Sequence, residues 1–214
     1  MIPQRFAVEY PERCLQLLRV FEAIAQERDL YGTFSVMLAA SILIIPWERA
    51  NGRHPLTQEQ GGDLNAGLRR LARQRWLAAE FWHDTPAGEW RFSRIIGDPN
   101  DVRAWKDEEG RPSFSPEANT VGRRRVGEVF RVLRNALAHG NIVYLDKRGR
   151  ETAGARVQHI AFLSRYEENQ EQHEAAETYR LVTVRETDFL PFVRAWALWV
   201  YHHHHHRDED LRVA

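Results

Sequence analysis

The chain has 214 residues, of which 43% are hydrophobic and 11% aromatic, enough to bury a core and too many for a disordered protein. Lys and Arg number 30 and Asp and Glu number 30, so the net charge of zero gives no global steering toward nucleic acid or an anionic membrane. The one cysteine, Cys14, excludes an internal disulfide framework and a cysteine-based zinc cage, and Met1 to Arg5 lead into mixed polar sequence instead of an export signal, so a cytoplasmic protein is expected.

Pro11 and Glu12 suit a first helical turn, after which Leu15, Leu18, Phe21 and Ile24 or Ala25 recur at helical spacing as far as Asp29. Gly32 and Thr33 punctuate. The apolar run from Phe34 to Trp47 then reads as a second helix, hydrophobic nearly all round and therefore central. It is shorter than the roughly 20 residues a bilayer span needs, so no membrane partner is expected. Gly52, Pro55, Gly61 and Gly62 mark a polar connection, and Leu64, Leu68, Leu71 and Trp76 continue a third helix that carries Arg69, Arg70, Arg73 and Arg75.

Residues 86–116 are rich in Gly, Pro, Trp and charge without a sustained period, and read as an irregular insertion. A helix resumes near Val121, with Val126, Val129, Phe130, Leu133 and Leu137 on one stripe, and stops at Gly140-Asn141. The period then changes. Ile142 to Leu145, Val157 to Leu163 and Tyr179 to Val184 read as short strands, separated by Gly149, Gly154 and the acidic run Glu167 to Glu177, making a small β segment over 141–185. Asp188 can cap a last helix containing Phe189, Phe192, Val193, Trp196, Trp199 and Val200. The histidine run His202 to His206 opens a flexible tail over 202–214, able to bind metal ions without specifying a site. The expected architecture is one mainly α domain over 1–214, a helical bundle with a small antiparallel β insertion before the last helix.

Chemistry concentrates at Arg134 to His139. Arg49 and His54 repeat the spacing, but Gly52 and Pro55 place that copy in a loop where spacing orients nothing. At about 100° per residue, Asn135 and His139 fall opposite the stripe through Val126, Phe130, Leu133 and Leu137, with Arg131 extending their row and Arg134 on the flank. The row is expected to point away from its own core, and small Ala136 and Ala138 to admit a partner helix, which predicts a homodimer. A histidine in the last turn can transfer a proton, and an adjacent arginine can hold a phosphate and the charge that builds on it. These are the two needs of a metal-free ribonuclease. Spacing alone favours the plainer arrangement, a histidine that satisfies helix carbonyls and arginines on a solvated face.

Other candidates carry less. Cys14 lies on an amphipathic helix as a core cysteine would, and Gly61-Gly62 lacks the strand and the Lys-Ser or Lys-Thr of a phosphate loop. His83, His159 and His173 have no ligand spacing, so neither a metal nor another cofactor is expected. Trp76, Trp82, Trp196 and Trp199 suit a core or interface better than base stacking.

The segment Val132-Leu133-Arg134-Asn135-Ala136-Leu137-Ala138-His139-Gly140-Asn141 resembles the defining motif of the HEPN superfamily, where arginine, a polar residue and histidine end a late helix. The wider layout is similar to a branch known from plasmid and bacterial genomes, with an apolar second helix at Phe34-Ser35-Val36-Met37-Leu38 and a β segment after the motif. The resemblance implies a HEPN-like bundle that dimerises so that two motifs share one cleft, with metal-independent RNA cleavage in many members. By carry-over His139 is the acid or base, Arg134 the phosphate-binding group and Asn135 the residue that orients them. Arg123, Arg124, Arg125 and Arg131 would add RNA or phosphate contacts. A bacterial defence or toxin setting follows, with an antitoxin or defence-system partner; members paired with a nucleotidyltransferase antitoxin often carry tyrosine two places after the histidine, where this chain has Asn141, Tyr144 lying three residues later. The alternatives are a non-catalytic HEPN module that binds RNA, nucleotide or protein, and a plain helical scaffold.

Overall fold

The computed structural model describes residues 6–51, 62–83, 85–152, 156–165 and 178–210. Its regular elements are α1 (Phe6–Glu27), α2 (Tyr31–Asn51), α3 (Gly62–Arg73), β1 (Trp90–Ile96), α4 (Val126–His139), β2 (Ile142–Leu145), β3 (His159–Arg165), β4 (Thr178–Arg185) and α5 (Glu186–Asp210). They form two compact units. One holds α1, α2, α3, a 3-10 turn at Glu80–Trp82 and α5 from Phe189 onward; the other holds Arg75–Leu77, the four strands and α4. The expected turn residues Gly52, Pro55, Gly61 and Gly154 and the acidic run Glu167 to Glu177 lie outside the described residues.

In the helical unit, α1 buries Cys14, Leu15, Leu18 and Ala25, and α2 buries Leu38, Ala39, Ile42, Leu43 and Trp47. Buried Ser35 interrupts the apolar run at no cost in unmet polarity, because its hydroxyl donates to the Tyr31 carbonyl one turn back at 2.7 Å. Helix α5 contributes Trp196, whose indole N–H donates to the Ile42 carbonyl at 3.1 Å and whose ring meets Phe81 edge-on. Phe21 and Ile24, expected on the core side of α1, are exposed. No helix of the described residues is long and apolar enough to cross a membrane.

The second unit overturns the expectation of a mainly α bundle with a small β insertion. Its sheet has four antiparallel strands in the order β1-β4-β3-β2, seven, eight, seven and four residues long, so the protein is mixed α/β. The strand that makes the difference, β1, comes from 86–116, which was expected to be irregular. It runs between Gly88 and Gly97, both left-handed with φ of 77° and 103°, and pairs with β4 along its whole length from Trp90↔Val184 to Ile96↔Thr178. A Cβ at Gly88 would lie 2.6 Å from the Asp188 carboxyl carbon, so the turn needs glycine for space as well as conformation.

Each face of the sheet is covered. Ile95, Leu145, Ala161, Leu163 and Leu181 pack with Trp105 and Phe114 from the connection after β1. The alternate positions Phe92, Ile160, Phe162, Val182 and Val184 belong to the other face, and α4 packs across β3 and β4 there. Trp76 closes the edge of this layer with its ring centroid 4.8 Å from Trp90 and 6.1 Å from Phe130.

Several boundaries differ from the sequence reading. Helix α1 begins at Phe6 and not at Pro11, Gly32 and Thr33 lie inside α2 and do not break it, and α3 ends at Arg73, with Trp76 in a separate 3-10 turn. Residues Val121–Arg123 form a 3-10 turn, and α4 begins at Val126. Asp188 does not cap the last helix: α5 starts at Glu186, and the Asp188 carboxylate accepts from the Glu89 N–H at 2.7 Å. Helix α5 also continues to Asp210, through the histidine run expected to be a tail.

Phe130 is fully buried against Trp76, so Phe130→Ala should cost about 3–5 kcal/mol of unfolding free energy, read as a lower urea midpoint. His159 supplies a pH test. It is buried in β3, its ring edge-on to Phe114, its Nδ1 3.4 Å from the Asp146 carbonyl and its Nε2 3.9 Å from Glu89. Burial pushes its pKa below the ordinary value, against the opposing pull of the Asp146 carbonyl and Glu89. The unfolded chain therefore takes up this proton first. The stability that His159 preserves is complete above about pH 6.5 and declines as pH falls toward the lower folded-state value. Wild type should lose urea resistance between about pH 7.5 and pH 5.5, and His159→Gln should lose less over the same interval.

Candidate functional site

Helix α4 is oriented by six buried side chains: Val126, Val129, Phe130, Val132, Leu133 and Ala136. Its start is fixed by the Glu128 carboxylate, which accepts from the Arg125 N–H at 2.8 Å, half of a capping box. Burial would raise the Glu128 carboxyl, but that bond and the Arg124 guanidinium hold its pKa below the ordinary value. The helix ends where Gly140 turns left-handed at φ 71° and its N–H bonds to the Ala136 carbonyl.

This orientation separates the three motif residues. His139 is exposed in the last turn, while Arg134 and Asn135 are half-buried. Asn135 does not point away from its own unit as expected: its amide donates to the Ser164 hydroxyl of β3 at 2.8 Å, and Ser164 is buried. Ala136 is also fully buried, so of the two alanines expected to admit a partner helix only Ala138 is at the surface. Five residues of helix set Arg134 and His139 about 140° apart in direction and about 7.5 Å apart along the axis. Within one chain they diverge from a common point. Asn135 and His139 are one turn apart and about 40° apart in direction, so they share a row with exposed Arg131.

The other arginines divide by position. Arg123, Arg124 and Arg125 precede α4, and a 14-residue helix puts them about 20 Å from the His139 end. Arg124 is committed to its surroundings: it donates to Thr120 Oγ1 at 3.2 Å, pairs with Glu128 at 3.1 Å and lies over the Phe92 ring at 4.4 Å. Arg123 is exposed, and its carbonyl accepts from the Arg75 guanidinium. The Arg125 side chain is exposed as well. Of the four arginines singled out as phosphate contacts, only Arg131 lies on the helix that carries the motif.

The sheet adds residues that the sequence reading did not single out. Ser164 faces Arg180 across β3 and β4, and Arg180 faces Arg94 across β4 and β1, so a polar row crosses the sheet at the level of Asn135. Ser164 and Arg180 are buried. Their signal was available: each occupies an inward position next but one to Phe162 or Val182, where an apolar residue is the norm.

In comparison with known families, a family model described as HEPN pEK499 p136 matches residues 1–207, in agreement with the family resemblance of the chain as a whole. No curated protein and no solved structure matches the chain.

The helix end that carries His139 depends on the left-handed glycine after it. A Cβ at Gly140 would meet nothing within 4 Å, so only backbone strain opposes a side chain there. Gly140→Ala should therefore cost about 1–2 kcal/mol in chemical denaturation, without the larger loss a clash would bring.

Proposed function

Because the chain belongs to the HEPN pEK499 p136 family, we propose that it is a metal-independent endoribonuclease, acting in a bacterial defence or toxin setting, whose reactive groups are Arg134 and His139. The observation that carries this reading is an exposed histidine in the last turn of α4, five residues after a half-buried arginine, in a chain of that family. His139 takes the proton of an RNA 2′-hydroxyl as the 2′-oxygen attacks the adjacent phosphorus. The 5′-oxygen leaves with a proton returned to it, and the product is a 2′,3′-cyclic phosphate. Arg134 neutralises the non-bridging oxygens as charge accumulates on them.

The divergence of Arg134 and His139 on one helix favours a site completed by a second copy, with Arg134 of one chain and His139 of the other on the same phosphate. Exposed Arg131 extends the positive surface along the row. Asn135 enters differently from its first assignment: bonded to Ser164, it holds α4 against the sheet and so positions His139 one turn later. That same bond favours a second reading, a non-catalytic module that binds RNA, nucleotide or a protein partner, because the polar residue expected to act at the phosphate already has a structural partner.

RNA digestion in the presence of a chelator separates the two. Wild type should cut RNA and leave a cyclic phosphate end. His139→Ala should slow cleavage by at least about a hundredfold while RNA affinity stays near wild type, because proton transfer acts in the transition state. Arg134→Ala should weaken both, since a phosphate clamp serves ground state and transition state alike. RNA bound without cleavage would establish the binding module. Equal cleavage by wild type and His139→Ala would remove His139 from the reaction.

A further inference from the structure

Arg75 stands outside α3 and pairs with the segment that leads into α4. It forms an antiparallel bridge with Arg125, the Trp76 N–H donates to the Arg124 carbonyl at 2.8 Å, and the Arg75 guanidinium donates to the Arg123 carbonyl. Residues opposite one another across such a bridge project to the same side. Arg124 turns away from them, over the Phe92 ring, and Arg75, Arg123 and Arg125 are left exposed together.

Like charges set directly opposite one another repel, so this placement is unfavourable until something negative joins it. Glu128, the acid in the first turn of α4, accepts from the Arg125 N–H at 2.8 Å and pairs with Arg124 at 3.1 Å. No acidic side chain of the described residues pairs with Arg75, Arg123 or Arg125. The start of α4 adds attraction for an anion, because the Gly127 N–H in its first turn meets no acceptor among the described residues, although Glu128 offsets part of that. Guanidinium forks match the paired oxygens of a phosphodiester. Within one chain, a patch about 20 Å from the His139 end cannot touch the phosphate at which His139 acts.

We propose that Arg75, Arg123 and Arg125 form a second phosphate site, which holds the backbone of a single-stranded RNA away from the point of cleavage. At about 3.4 Å per stacked nucleotide, the roughly 20 Å between this patch and His139 corresponds to about six nucleotides, and a strand must exceed that length to engage both. The site rests on the reading that the chain binds RNA, which the enzyme and the binding module share. It does not depend on cleavage by His139.

Fluorescence anisotropy of the full chain with 2′-O-methyl RNA, which has no 2′-hydroxyl to react, tests it over a series of strand lengths. Wild-type affinity should rise at least about tenfold as strands pass about six nucleotides, because the second contact is then intramolecular. Arg75→Gln combined with Arg125→Gln should remove that rise with an unchanged far-ultraviolet spectrum. For the longest strand the pair should also lower the slope of log affinity against log salt by about 1.4, two phosphate contacts at about 0.7 each. Arg123→Gln alone should act in the same direction. A wild type that binds long strands no better than short ones, or a double variant with unchanged affinity and slope, would overturn the proposal and leave the RNA reading in place. Poly-glutamate bound by wild type in preference to RNA, and lost in the double variant, would overturn it too, because the partner would then be an acidic peptide. A wild type that binds no RNA at any length would end the RNA reading and the proposal together.

Discussion

Six side chains of α4 lie in an arc of about 160° and are all buried, and the rotation this imposes on the helix governs what the strand-bearing unit presents. Each fully buried apolar side chain contributes about 1.5–3 kcal/mol, so turning α4 by one residue would forfeit several such terms. A side-chain hydrogen bond returns about 1 kcal/mol. The apolar arc therefore decides, and the polar contacts follow from it. Asn135 is turned toward β3, where Ser164 is in place to accept its amide, and His139 is left at the surface.

The sheet beneath α4 is what makes that rotation consequential. Because β1 is hydrogen-bonded along all seven residues to β4, and β4 in turn to β3, the alternate positions of three strands are locked in register. The same register that lines up Phe92, Val182 and Phe162 also lines up Arg94, Arg180 and Ser164 two residues on. A chain of zero net charge thus builds local polarity by placement. Arg180 lies in the interior, Arg124 is spent on Phe92, Thr120 and Glu128, and Arg131 is exposed on the motif helix.

Much of this was legible in the chain, and the misses have physical causes. The helices were visible from their one-sided period, and so was the glycine that stops α4, but α1 starts before Pro11 and α4 starts after Val121, where they had been read to begin. Strands β2, β3 and β4 were visible from β-branched and aromatic runs. Strand β1 was not, because Ser93 and Arg94 break its alternation and its partner lies about ninety residues downstream; its bounding pair Gly88 and Gly97 was the cue left in the text. The candidate motif residues were singled out by their order along the helix, but their directions depend on which side of α4 the sheet covers. That is a non-local fact. A helical wheel drawn from Val126, Phe130 and Leu133 centres the buried arc too far from Ala136, and so sent Asn135 outward. On α1 the same wheel merged two stripes, giving Phe21 and Ile24 to the core when Leu18 and Ala25 fill it.

The orientation of α4 is the claim on which the site description rests, and a double-mutant cycle between Asn135 and Ser164 reads it directly. With urea unfolding of wild type, Asn135→Ala, Ser164→Ala and the double variant, the two positions should couple by about 1 kcal/mol, as a hydrogen bond across a helix and strand requires. Additive effects, with no coupling beyond about 0.3 kcal/mol, would mean that Asn135 does not meet β3 and that the helix presents a different face.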